Sequence, residues 1–216
     1  MHKAEILSCI LDAGIIAIIR SDGPVGLAKA VTALFAGGVK AVEISLTTPG
    51  TLEVVREVSE SLPEGCCIGV GTVLDEQVVK ESAAAGAQFA VSPVFHTEVV
   101  QACNKADIPL ACGAFTPTEA YQAHLAGADL IKIFPANQLG PDYMKALLAP
   151  LPDLSLVPTG GVTVENCGQY VRAGCVAVAI GTSVVNPKLI HDENWEGISN
   201  RAADYVRAVE RARAQL

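Results

Sequence analysis

The sequence predicts an α/β chain, a single (β/α)8 TIM barrel with an extra N-terminal helix, spanning residues 1–216. Three observations point there. Eight short runs rich in Val, Ile and Leu recur along the chain, each followed by a segment of helical, alanine-rich pattern. Half of the residues are hydrophobic but only 5% are aromatic. Small aliphatic side chains must therefore fill the core, which suits parallel strands layered under helices. A faint repeat, Ala36-Gly37-Gly38-Val39, Ala85-Gly86-Ala87, Ala126-Gly127-Ala128 and Ala173-Gly174-Cys175, places glycine at a helix end just before a strand, where a left-handed residue stops the helix.

An amphipathic helix over residues 3–12 opens the chain, and the strands are predicted at 15–20, 41–46, 67–73, 89–93, 110–114, 130–135, 154–159 and 176–181. No linker or low-complexity segment interrupts them. The last helix carries an aliphatic stripe of Ile198, Ala202, Tyr205 and Val209, which should face the barrel. An open, doubly wound sheet is the rival architecture. Its dinucleotide fingerprint is missing, because Gly69-Val70-Gly71-Thr72 lacks the third glycine and follows the third strand.

The formal net charge of −8, with no basic cluster, disfavours a nucleic-acid or anionic-membrane partner. Seven cysteines, an odd number with no C-x-x-C spacing, read as reduced core residues. His2, His96, His124 and His191 are scattered, so neither a metal nor an organic cofactor is expected. Glu5 and Asp12 interrupt the early apolar stretch, which is therefore no signal peptide; the expected location is the cytoplasm.

The chemistry centres on Lys132, a lone cation in the apolar strand Leu130-Ile131-Lys132-Ile133-Phe134-Pro135. Burial disfavours the ammonium, lowers the amine pKa and leaves a nucleophile. Side chains alternate along a strand, so Lys132 and Phe134 share one face while Ile131 and Ile133 turn to the helices. The same parity sets Glu43, Ser45 and Thr47 on the inner face of the second strand. Two inward charges economise by meeting, either as a structural ion pair or as a nucleophile with its proton shuttle.

Pro158-Thr159-Gly160-Gly161-Val162 after the seventh strand and Gly181-Thr182-Ser183 after the eighth have the form of phosphate loops. Their glycines let backbone N–H groups approach an anion, and the barrel commonly holds phosphate there. Arg20, ending the first strand, adjoins the eighth in a closed barrel and can clamp phosphate or carboxylate. Thr72, Ser92-Pro93 and Phe115-Thr116-Pro117-Thr118 complete the rim, with Thr116 equally suited to cap a helix.

Val42-Glu43-Ile44, Gly69-Val70-Gly71-Thr72-Val73, Val91-Ser92-Pro93, Lys132-Ile133-Phe134-Pro135 and Pro158-Thr159-Gly160-Gly161-Val162 together resemble, in order and spacing, the 2-keto-3-deoxy-6-phosphogluconate aldolases. That resemblance covers nearly the whole chain. It implies a class I aldolase on a (β/α)8 barrel, a homotrimer, with Lys132 as the Schiff-base lysine and Glu43 as general acid/base. The implied substrate is a 2-keto-3-deoxy sugar acid phosphate, or 4-hydroxy-2-oxoglutarate in some members. Thr72, Pro93 and Phe134 would shape the pyruvate end, and Thr159, Gly160, Gly161, Gly181 and Ser183 the phosphate end. Thr47 stands where many gluconate-specific members carry arginine, and the surrounding Glu43-Ile44-Ser45-Leu46-Thr47-Thr48-Pro49 is closer to the galactonate-phosphate branch. Both C4 epimers therefore stay open as substrates. The rivals of other classes are a sugar-phosphate isomerase or synthase barrel that forms no imine, and a barrel that only binds phosphorylated acids.

Overall fold

The computed structural model describes residues 2–216; Met1, the first residue of the expected domain, lies outside them. Eight strands form one parallel sheet: β1 (Ile15–Ile19), β2 (Ala41–Ser45), β3 (Cys67–Gly71), β4 (Phe89–Val91), β5 (Leu110–Ala114), β6 (Leu130–Ile133), β7 (Leu156–Pro158) and β8 (Val178–Ile180). They pair in the order β7-β6-β5-β4-β3-β2-β1-β8. The remaining seam between β7 and β8 is drawn together by a parallel bridge from Thr159 to Ala179 and by the Val176 N–H donating to the Leu156 carbonyl at 3.1 Å. The sheet is thus a nearly closed barrel.

Helices alternate with the strands: α1 (Lys3–Ala13) before β1, then α2 (Leu27–Ala36), α3 (Thr51–Ser59), α4 (Glu76–Ala84), α5 (Thr97–Lys105), α6 (Pro117–Leu125), α7 (Gly140–Leu148), α8 (Cys167–Arg172), α9 (Pro187–His191) and α10 (Trp195–Arg213). The repeat glycines act as expected. Gly38, Gly86, Gly127 and Gly174 have φ of 92°, 95°, 94° and 98°, a conformation that strains any residue with a Cβ. Thr116 proves to be a helix cap, its hydroxyl accepting from the Glu119 N–H at 3.3 Å while Glu119 returns to the Thr116 N–H at 2.8 Å. The last helix places Ile198, Ala202, Tyr205 and Val209 in the buried layer, as the stripe predicts.

Two cores result from the strand parity. Ile131, Ile133, Val42, Ile44 and the other outward-facing strand residues pack with the helices. Leu130, Phe89, Val91, Ala111 and Val157 turn inward, and α1 contributes Ile6 and Ile10 to the same inner cluster. The first helix therefore plugs the barrel at the amino ends of the strands. Each of those isoleucines gains about 1.5–3 kcal/mol by leaving water. Glycines inside the barrel make room for larger neighbours: a Cβ on Gly69 would lie 2.7 Å from the Phe89 ring.

The ladders of β4, β7 and β8 are shorter than the apolar runs suggest, three residues each. Pro158 ends β7 and has no N–H to extend it, and the chain after Ile180 turns at once, Val184 donating to the Gly181 carbonyl at 2.9 Å. No helix among the described residues is long and apolar enough to cross a membrane.

Candidate active site

The carboxyl ends of the strands surround a cavity of about 460 Å3. Eleven of the residues singled out in the sequence line it: Arg20, Glu43, Thr72, Pro93, Lys132, Phe134, Thr159, Gly160, Gly161, Gly181 and Ser183. Lys132 and Glu43 reach it from β6 and β2 by their strand parity, and both are buried, at 7% and 2% exposure. Such burial of two ionisable groups is expensive unless each is compensated.

Compensation is incomplete, and the pKa of each group shifts accordingly. The two make no salt bridge with one another among the described residues. Glu43 Oε2 is buried with no hydrogen-bond partner among the described residues. Burial pushes the Glu43 carboxyl above its ordinary value, although the Lys132 and Arg20 cations pull it down. Burial likewise pushes the Lys132 amine below its ordinary value, against the attraction of Glu43 and with the repulsion of Arg20. Burial is the largest cause in each case, and both shifts run toward the neutral form. Lys132 Nζ also lies 5.2 Å from the centroid of the Phe134 ring, which covers the amine from the rim.

Gly71 and Thr72 shape the wall beside Glu43. A Cβ on Gly71 would overlap the Glu43 carboxylate, so the absence of a side chain there admits it. Thr72 takes φ 66°, a left-handed conformation that is strained for a β-branched residue and recurs at functional sites. Its hydroxyl shares a hydrogen bond of 3.0 Å with Ser45 Oγ, which shares another of 2.9 Å with Thr47 Oγ1. Thr47 itself is exposed and outside the cavity lining. The strand ends at Ser45 and turns, so the alternation that would have carried Thr47 inward stops.

Beside Lys132, whose strand β6 pairs with β7, the glycine loops after β7 and β8 border the same cavity. Gly160 and Gly161 have φ of 92° and 73°, and Asn166 fixes the loop by donating to the Gly161 carbonyl at 3.0 Å and accepting from the Thr163 N–H at 2.8 Å. Ser183 Oγ ties the two loops together through the Val162 carbonyl at 3.0 Å. Among the described residues the N–H groups of Gly161, Thr182 and Ser183 donate to no protein acceptor. Arg20 makes no salt bridge among the described residues, and its charge reaches Glu43 only at longer range.

Sequence reasoning missed Ile18, Thr163, Ala179 and Val185 in the lining, and Ser45 as the hydroxyl linking Thr47 to Thr72. Ser45 shares the inner parity of Glu43, a signal that was present. Thr163 and Val185 lie in loops, where no periodicity reports direction. No group of three or more His, Cys, Asp or Glu side chains placed to hold a metal occurs among the described residues.

The whole arrangement has counterparts in known proteins. The family model described as KDPG and KHG aldolase matches residues 6–201. The chain is 35% identical over 199 residues to the 2-dehydro-3-deoxy-6-phosphogalactonate aldolase of Escherichia coli, covering 92% of this chain and 95% of that one. It is 32% identical over 201 residues to the 2-dehydro-3-deoxy-phosphogluconate aldolase of Pseudomonas aeruginosa, covering 90% and 91%. Among solved structures, the KDPG aldolase of Legionella pneumophila with pyruvate captured as a covalent carbinolamine superposes with a TM-score of 0.81 at 29% identity, covering 91% of this chain and 96% of that one. With the family model matched over residues 6–201 and a relative 35% identical across 92% of this chain, the chain belongs to the KDPG and KHG aldolase family.

Proposed function

We propose that this protein is a class I aldolase that cleaves 2-keto-3-deoxy-6-phosphogluconate to pyruvate and glyceraldehyde 3-phosphate. The observation that carries the reading is the pairing of Lys132 and Glu43 in one cavity, each pushed by burial toward the neutral form. A neutral Lys132 amine attacks the C2 ketone. Glu43 in its acid form gives a proton to the departing carbinolamine hydroxyl, and water leaves a protonated imine. That cation accepts the electron pair of the C3–C4 bond as the Glu43 carboxylate takes the C4 hydroxyl proton. Glyceraldehyde 3-phosphate departs, Glu43 returns a proton to C3 of the enamine, and hydrolysis frees pyruvate. The Arg20 cation assists by disfavouring the Lys132 ammonium.

Thr72, Pro93 and Phe134 surround the pyruvate portion. The loops of Thr159, Gly160, Gly161, Gly181 and Ser183 take the phosphate, supported by the free N–H groups there. The 2-keto-3-deoxy-6-phosphogalactonate epimer is the second reading, supported by the 35% identity to the Escherichia coli galactonate-phosphate enzyme. We assign the reaction to one barrel domain over residues 1–216 of a cytoplasmic protein. A homotrimer is the assembly the resemblance implies, and the exposed Val94 and Phe115, at 44% and 39% exposure outside the cavity lining, offer self-association an apolar surface.

The test is turnover, with pyruvate release followed by lactate dehydrogenase and NADH, on both epimers and on 4-hydroxy-2-oxoglutarate. The proposal expects at least one phosphorylated epimer to exceed 4-hydroxy-2-oxoglutarate by about 100-fold in kcat/KM, the remote phosphate contributing binding energy to the transition state. Absence of pyruvate from both epimers would overturn it.

A further inference from the structure

Six of the seven cysteines are buried, and Cys9 alone is partly exposed. It sits on α1 at the end of the barrel away from the mouth, lining a cavity of about 690 Å3 together with Lys40, Gly65 and Arg213. Its Sγ lies 3.7 Å from Sγ of Cys67, the first residue of β3, and 3.2 Å from the Gly65 carbonyl oxygen. Cys67 is fully buried in the inner core. Cys66, its neighbour, turns to the opposite face by strand alternation and lines a different cavity with Phe35 and Pro63. The two sulfurs that meet are therefore one reached from solvent and one reached only through the first.

We propose that Cys9 and Cys67 form a redox-responsive pair, in which a hydroperoxide oxidises Cys9 from the cavity and Cys67 closes a disulfide that staples α1 to β3. In the first step the Cys9 thiolate attacks a peroxide oxygen. An S–O bond forms, the O–O bond breaks, and the leaving oxygen departs as water or alcohol after taking a proton. In the second, the Cys67 thiol, held well above its ordinary value by its contact with Cys9 and by burial, passes its proton to the departing hydroxyl as it attacks the sulfenyl sulfur, so that the S–S bond forms and water leaves. Two thiols and one hydroperoxide thus yield one disulfide, one water and one further water or alcohol. The hydrogen bond from Cys67 holds the Cys9 thiol below its ordinary range, with the Lys40 ammonium helping, against burial and Asp12. The sulfurs must close from 3.7 Å to about 2.05 Å, and the half-buried Cys9 side chain has the open cavity in which to turn. The link would join residues 58 apart in sequence, a long loop whose closure removes much freedom from the unfolded chain.

The experiment treats the reduced full-length protein with stoichiometric hydrogen peroxide, alkylates it, and maps peptides by non-reducing mass spectrometry, with thermal melting alongside. We expect a Cys9–Cys67 cross-linked peptide lacking two hydrogens and a Tm raised by roughly 5–15 °C. Reductant should reverse both, Cys66→Ser should keep them, and Cys9→Ser should abolish them. Because the mapping is done on the unaltered chain, it decides the matter even if Cys9→Ser folds poorly. Accumulation of Cys9 sulfinic acid with Cys67 still alkylatable, or a cross-link to Cys66 instead, would overturn the proposal.

Discussion

Gly71 holds open the space that the Glu43 carboxylate occupies: a Cβ built on Gly71 overlaps both Glu43 Oε1 and Cδ. The two residues are neighbours across the β2–β3 ladder, where Ser45 pairs with Gly71 and Glu43 with Gly69. An inward carboxyl on one strand thus depends on a missing side chain on the next. Gly71→Ala should displace Glu43 at a packing cost of about 1–3 kcal/mol. Its kcat should fall toward that of Glu43→Gln while pyruvate still forms an imine, which borohydride trapping and steady-state kinetics together would report.

Glu43→Gln keeps the shape and removes the titrating proton. We expect kcat to drop by about 100- to 10,000-fold, the usual share of a positioned acid/base group. Exchange of the pyruvate methyl protons with solvent, followed by NMR, should fall in parallel, since the same group returns the proton to the enamine. Unchanged exchange would assign that proton transfer elsewhere.

The opposite pKa shifts make stability depend on pH in opposite senses. Burial lowers the Lys132 pKa from 10.5, so between the lowered value and 10.5 the unfolded chain binds more protons and stability rises with pH. Burial raises the Glu43 pKa from 4.5, so the folded chain holds the extra proton and stability falls as pH climbs from 4.5 to the raised value. Lys132→Met should flatten the rise, and Glu43→Gln the fall. Melting curves of the three proteins over about pH 4 to 10 would show it.

Ser183 ties the seventh- and eighth-strand loops through the Val162 carbonyl. Ser183→Ala removes one hydrogen bond of about 1 kcal/mol. It should raise KM for the phosphorylated substrate by up to about 10-fold, leave kcat nearly unchanged, and weaken inhibition by inorganic phosphate by a like factor.

Much of this site was legible in the sequence because strand alternation is a rigid rule. Once residues 130–135 and 41–46 read as strands, Lys132 and Glu43 had to share the barrel interior. The glycine loops were legible for a similar reason, since Gly160 and Gly161 do adopt left-handed φ. The rule says less where the ladder stops: Thr47, beyond the end of β2, is exposed and outside the cavity lining, yet its hydroxyl stays 2.9 Å from the inward-facing Ser45 Oγ. The left-handed Thr72 carried no sequence signal, because a β-branched residue is a poor choice for that conformation. Burial was expected to lower the Lys132 amine, but how far the Glu43 charge opposes it was hidden, as that depends on the depth of each group and the approach of the other. The plug role of α1 was hidden too: amphipathicity announced the helix, but only the inner cluster with Ile6 and Ile10 shows which layer it fills.

The central claim is that Lys132 forms an imine with a 2-oxo acid. Reduction of the protein by borohydride in the presence of pyruvate, followed by intact-mass and peptide mass spectrometry, tests it most directly. The account predicts one reduced pyruvate adduct per chain, located on Lys132 and absent from Lys132→Met. No adduct, or an adduct on another lysine with Lys132 free, would contradict it.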